Sequence, residues 1–155
     1  MDNIDRVILT LPVLAALDVL STLYMESLGY SLKVYEVGLF ASFFVHTGLT
    51  YFYTIVYLLI ISALAYFLWF IKNKGLNWSH FFDKILFLLL IIVVYYVFIG
   101  LTVVCVGNFL LPSFIEGRVS RFPVILLTYS SAALVLSLYM WQDIARWLKA
   151  NSNKK

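Results

Sequence analysis

Four residues in the first quarter of the chain could do chemistry in an apolar setting: Asp18, Thr22, Glu26 and Glu36. Asp18 stands in the middle of a run from Val7 to Leu28 that is otherwise lipid-soluble. A charge at the centre of a bilayer-spanning helix costs about 3 kcal/mol even on the forgiving insertion scales, so it turns toward a protein interior or a water pocket. Helical periodicity puts Asp18, Ser21, Thr22, Met25, Glu26 and Gly29 on one face with Leu11, Leu14 and Ala15. Val13, Ala16, Leu20, Leu23 and Tyr24 cover the other face.

Asp18, Thr22 and Glu26 thus form an acidic, hydroxyl-bearing stripe from the middle of the segment toward its end. Two readings stay open. The stripe is an ion or proton path, or Asp18 is protonated or bonded to a Thr, Ser or Tyr of another helix and fixes how the bundle packs. Glu26 sits near the end of the segment, where hydration alone would explain it. Glu36, read by itself, is a first-turn charge favoured by a helix dipole. Asp18, Glu26 and Glu36 carry oxygen ligands for a cation, but their spacing defines no metal site.

These residues need a scaffold, and composition says which kind. Of 155 residues, 63% are hydrophobic, 18% aromatic and only 12% charged. Soluble domains average about 45–50% apolar and about 25% charged residues, so an integral membrane protein is expected. A net charge of +3 in so apolar a chain speaks to membrane orientation, not to nucleic acid. Spans of about 20 residues leave no room for a soluble domain.

Four segments are long and apolar enough to cross: 7–28, 49–71, 85–111 and 123–141. Hydrocarbon leaves backbone groups no partner but their own helix, which predicts an all-α, up-and-down four-helix transmembrane bundle. It forms a single domain over 1–150, with a tail at 151–155. Lys72, Asn73, Lys74 and Gly75 mark the end of the second span, and Ser79 with Asp83 the start of the third. Pro112 is expected to end the third span, and Pro123 to open the fourth. Residues 34–46 are apolar but too few to cross, which predicts a short interfacial or re-entrant helix. Beyond Trp141, residues 142–149 read as an amphipathic extension.

With four spans, Arg6, Lys72, Lys74, Lys84, Arg146, Lys149, Lys154 and Lys155 share one side, against Lys33, Arg118 and Arg121 on the other. This bias predicts cytoplasmic termini, though not which membrane holds the chain. Asp2, Asp5 and Asp18 make the N-terminus a poor signal peptide, so the first span is expected to be retained.

The later spans read as packing surfaces, with Gly100 and Gly107 one heptad apart and Ser130, Ala133 and Ser137 in a small-residue stripe. Asn108 reads either as a hydrated cap near the helix end or as a partner for Glu26 or for the loop at that end. Tyr51, Tyr53, Tyr57, Tyr66, Tyr95, Tyr96, Tyr129 and Tyr139 supply hydroxyls within the bundle, one of which could donate to Asp18. Cys105 is the only cysteine, so no internal disulfide or redox pair is available. His46 and His80 fall on opposite sides of the membrane and share no ligand. The chain has no nucleophile elbow, zinc-protease helix or phosphate loop, and no cofactor is implied.

The run Leu17-Asp18-Val19-Leu20-Ser21-Thr22-Leu23-Tyr24, with Tyr35-Glu36, Leu39-Phe40-Ala41-Ser42-Phe43-Phe44 and Gly48-Leu49, resembles a small uncharacterised prokaryotic family of four-span membrane proteins, a domain of unknown function. The resemblance covers roughly the first 70 residues. It implies that Asp18, Thr22 and Glu36 form a characteristic polar set, and it implies no activity. The chain departs from the family pattern at Val37-Gly38-Leu39, where an Asn-Pro pair would stand.

The expected role is therefore non-catalytic: an accessory or structural subunit, or a self-associating bundle, whose partners are membrane lipid and either copies of itself or a larger membrane complex. A proton- or cation-linked transporter or channel-like protein using the Asp18 stripe is the alternative. An enzyme acting on a membrane lipid comes third.

Overall fold

The computed structural model describes residues 2–30, 46–75 and 81–152. Glu36, and the helix expected over 34–46 apart from His46, lie outside the described residues. Among those described the chain is all-α, without strands, and built on four long apolar helices. They are α1 (Asn3–Ser27), α2 (Thr50–Phe70), α3 (Phe81–Ile115) and α4 (Arg121–Ser152). α2 runs into a π-helical turn at Ile71–Gly75. Each of the four is long and apolar enough to cross a membrane.

Local chemistry explains where the helices begin and stop. Asp2 caps α1 and forms a reciprocal capping box with Asp5, the Asp5 N–H reaching Asp2 Oδ1 at 2.9 Å. α1 ends where Gly29 takes φ +89°. There the Gly29 N–H bonds the Glu26 carbonyl, and the Tyr30 N–H bonds that of Met25. The same paired closure ends α3 at Gly117, φ +70°, whose N–H reaches Phe114 while that of Arg118 reaches Ser113.

Pro112 therefore does not terminate the third helix, contrary to the sequence expectation. It lies inside α3 and removes only the N–H that would have met the Asn108 carbonyl; the chain continues one more turn until a glycine can adopt the left-handed conformation. Pro12 is likewise carried inside α1. The amphipathic extension at 142–149 is the continuous C-terminal part of α4.

α1 is the central helix. It packs most extensively on α3 and α2, α4 packs on α3, and α4 also meets the start of α1. Ile8, Leu11 and Ala15 of α1 are fully buried and pack in one core with Phe87 and Val94 of α3, Ala65 and Leu68 of α2, and Leu136 and Met140 of α4. The predicted outward face of α1 is exposed at Val13, Leu20 and Tyr24. Only 6% of the apolar window of α4 is buried, against 28% for α1, so α4 is peripheral.

The glycines of α3 do not serve as contact points inside the chain. A Cβ built at Gly100 or Gly107 would meet nothing within 4 Å, so these positions face open space where tight helix packing was expected. Ser137 does meet α3, where the Tyr95 hydroxyl donates to its Oγ at 2.9 Å.

Candidate functional site

Asp18 turns inward, and each carboxylate oxygen is taken by a different helix. The Tyr57 hydroxyl on α2 donates to Oδ2 at 2.9 Å, and the Asn108 amide on α3 donates to Oδ1 at 3.0 Å. Asn108 Nδ2 also lies 3.0 Å from Ser21 Oγ and 3.0 Å from Thr22 Oγ1. Both hydroxyls spend their hydrogens on the Asp18 carbonyl, at 2.8 Å from Ser21 and 2.9 Å from Thr22. Their remaining lone pairs can only accept, so a donor must face them. The Asn108 nitrogen is that donor, and the network orients it toward α1.

The surroundings are close and largely apolar. Ser21 is fully buried, Tyr57 stacks on Tyr53 with ring centroids 5.9 Å apart, and the buried Cys105 thiol lies 3.5 Å from the Leu14 carbonyl. A hydrogen-bonded amide inside apolar surroundings is worth keeping because an unpaired one costs about 1–3 kcal/mol.

Of the residues selected from the sequence, Asp18 and Thr22 are brought together here. Glu26 is not: it is exposed, two helical turns beyond Asp18. Glu36 lies outside the described residues. Asn108 was expected to serve Glu26 or a loop, and it bonds Asp18, Ser21 and Thr22 instead. The reason is axial level, since α3 is long enough to carry Asn108 alongside the third quarter of α1. Among the described residues no group of three His, Cys, Asp or Glu side chains could hold a metal ion.

A second polar centre lies at the end of the bundle that holds the start of α1, and the sequence reading missed it. Lys72, counted there as an orientation charge, is buried in the π-helical turn. Its Nζ lies 2.7 Å from Asp2 Oδ2 and 2.8 Å from Asp5 Oδ1. Asn73 Nδ2 adds a bond of 2.9 Å to Asp5 Oδ1 and one of 3.0 Å to the Trp69 carbonyl. The π turn, one residue wider than an α turn, directs Lys72 and Asn73 together at α1.

From the other flank α4 supplies Asp143, also buried, which accepts the Asn3 N–H at 2.6 Å and the Ile4 N–H at 3.3 Å on Oδ2. Arg146 holds its Oδ1 at 2.6 Å. A helix start leaves four N–H groups without an intrahelical partner. Here the N–H groups of Asp2, Asn3, Ile4 and Asp5 are met by Asp5, Asp143, Asp143 and Asp2. Three carboxylates at a helix N-terminus also have the favourable sense relative to the dipole. In the sequence Asp2 and Asp5 counted only against a signal peptide, and the arrival of Lys72 and Asp143 needed the tertiary fold.

Between the two centres, Ile8, Leu11 and Ala15 form a close-packed layer with no exposed surface. The arrangement joins α1 to α2 and α3 near Asp18, and to α2 and α4 near its start. Comparison with protein-family models, with curated proteins and with solved structures gives no match.

Proposed function

We propose that the chain is a non-catalytic integral membrane protein, an accessory or structural subunit or a self-associating bundle, in which Asp18 fastens three helices together. The carrying observation is that its two oxygens are held by Tyr57 of α2 and Asn108 of α3. Polar pairs of this kind hold helices where hydrocarbon gives no hydrophobic drive between them. Membrane residence is supported by four long apolar helices and by the many apolar side chains on the outer faces, among them Leu127, Val135 and Leu138 of α4. Such a surface exceeds what a soluble monomer leaves to water. The basic residues, eight on the side of the termini against three opposite, support cytoplasmic termini, and the resemblance of the Asp18 run to a prokaryotic membrane family supports a prokaryotic plasma membrane.

Pull-down and mass determination in mild detergent test the subunit reading. A second copy or a stoichiometric partner is expected, and a strictly solitary monomer overturns it. Substitution at Asp18 tests the fastening role: Asp18→Leu should release helix packing or partner binding, whereas Asp18→Asn keeps the bonds to Tyr57 and Asn108 in part. If both variants keep every interaction and full thermal stability, the role is wrong.

A proton- or cation-linked transporter is the second reading, favoured by the continuous chain of polar groups from Tyr57 through Asp18 and Asn108 to Ser21 and Thr22. The apolar layer at Ile8, Leu11 and Ala15 stands against a path through a single copy, so this reading requires oligomers that enclose one. Liposome flux with a pH-sensitive dye decides it, and absence of flux across a range of gradients removes it.

A further inference from the structure

An open groove of about 890 Å³ runs along α3 between α2 and α4. Its lining is almost wholly apolar and includes Tyr57, Gly100, Val104, Ile125, Tyr129 and Ala133. Gly100 leaves its floor bare, since a side chain there would meet nothing within 4 Å. Two further features mark its end nearest the turn between α3 and α4. Phe114 follows Gly100 and Gly107 at heptad spacing, which keeps all three on one face of α3. Above the Phe114 ring sits the Arg121 guanidinium, 5.7 Å from the centroid, one turn before Ile125 on α4. Arg118 is paired with Glu116, whereas Arg121 makes no ion pair among the described residues.

We propose that this groove binds an anionic phospholipid, its acyl chain lying over Gly100 between α2 and α4 and its phosphate meeting Arg121. The proposal rests on the reading of the chain as membrane-spanning. Charge complementarity supplies the headgroup: an exposed cation, without an ion-pair partner among the described residues, stands one helical turn beyond the apolar lining at Ile125. Length supplies the chain. The lining from Ile91 to Val104 extends about 20 Å along α3, and from Ile125 to Ala133 about 12 Å along α4. One leaflet of hydrocarbon is about 15 Å deep, while a partner transmembrane helix would use the full depth of about 30 Å. At about 20 Å along α3 the groove is longer than one leaflet and shorter than a full span, so its length suits an acyl chain better than a complete transmembrane helix.

The test is native mass spectrometry of the full chain in mild detergent, offered phosphatidylglycerol or phosphatidylcholine with the same acyl chains. Phosphatidylglycerol should be retained about fivefold better, the effect of one basic side chain near an anionic surface. Arg121→Gln should bring the two lipids level, and Lys74→Gln, an exposed cation at the other end, should leave the preference intact. Gly100→Leu, which fills the floor without a clash, should lower retention of both lipids.

Equal retention of the two lipids by the native chain, or an unchanged preference in Arg121→Gln, overturns the proposal. So does competition by glycerol phosphate as effective as by the whole lipid, which would leave the acyl chain without a role. A lipid-free dimer dissociated by Gly100→Leu would assign the groove to a second copy and overturn it equally. Release of the chain from membranes by alkaline carbonate would instead strike the membrane-spanning reading itself, which keeps the two failures apart.

Discussion

Lys72 and Asp5 meet at 2.8 Å although 67 residues separate them, and both side chains are almost sealed from solvent, at 6% and 7% exposure. A buried pair adds little over a well-packed apolar replacement, but breaking it by removing one partner strands a charge. Lys72→Met should therefore lower stability by about 3 kcal/mol or more, read as thermal unfolding in detergent, and adding Asp5→Asn should recover part of the loss. Lys74→Met, on the exposed side of the same turn, should stay within about 0.5 kcal/mol of the native chain. Equal effects at 72 and 74 would mean the pair contributes nothing specific.

Asp143→Ala should cost about 2–3 kcal/mol, because it removes the acceptor of two N–H groups at the start of α1 and leaves Arg146 without its carboxylate. Asp143→Asn keeps one acceptor oxygen and should cost less. Amide exchange at Asn3 and Ile4 should accelerate in the alanine variant ahead of the rest of α1. Unchanged exchange there would show that solvent already caps these groups.

The Tyr57 and Asn108 bonds to Asp18 can be separated by double-mutant cycles. Tyr57→Phe with Asp18→Asn should show a coupling of about 0.5–1.5 kcal/mol, the range of interhelical hydrogen bonds in membranes. Asn108→Leu should cost more than Tyr57→Phe, since its amide also serves Ser21 and Thr22. Additive effects in the Tyr57 cycle would reduce that contact to proximity.

Glu26→Gln should leave stability and association unchanged, within about 0.5 kcal/mol, because the side chain is exposed and stands apart from the Asp18 network. A large effect would point to a role the single bundle does not supply.

Much of the fold could be read from the residues. Four apolar runs and the inward face of α1 through Leu11, Ala15 and Asp18 follow from periodicity and from the cost of exposing a charge. The stop of α3 could not, because Pro112 is a weaker terminator than a glycine one turn later. The candidate site was half visible. Asp18 and Thr22 announce themselves as polar groups in an apolar run, and Asn108 carries the same signal on α3. Its partner depends on the axial register between helices, which sequence periodicity does not set. Tyr57 was one tyrosine among many, distinguished only by level along α2. Lys72 was counted only as a charge on the side of the termini, and its burial against Asp2 and Asp5 depends on how the π turn packs on α1.

Asp143 carries a consequence for assembly. Synthesis delivers α1 first and α4 last, so the opening amides of the first helix wait for a carboxylate from the final one. Until then water must serve Asn3 and Ile4, and the start of α1 stays at a wet surface. A chain interrupted just before residue 143 would hold α1, α2, α3 and most of α4 yet keep that end unsealed, a difference open to a quality-control protease.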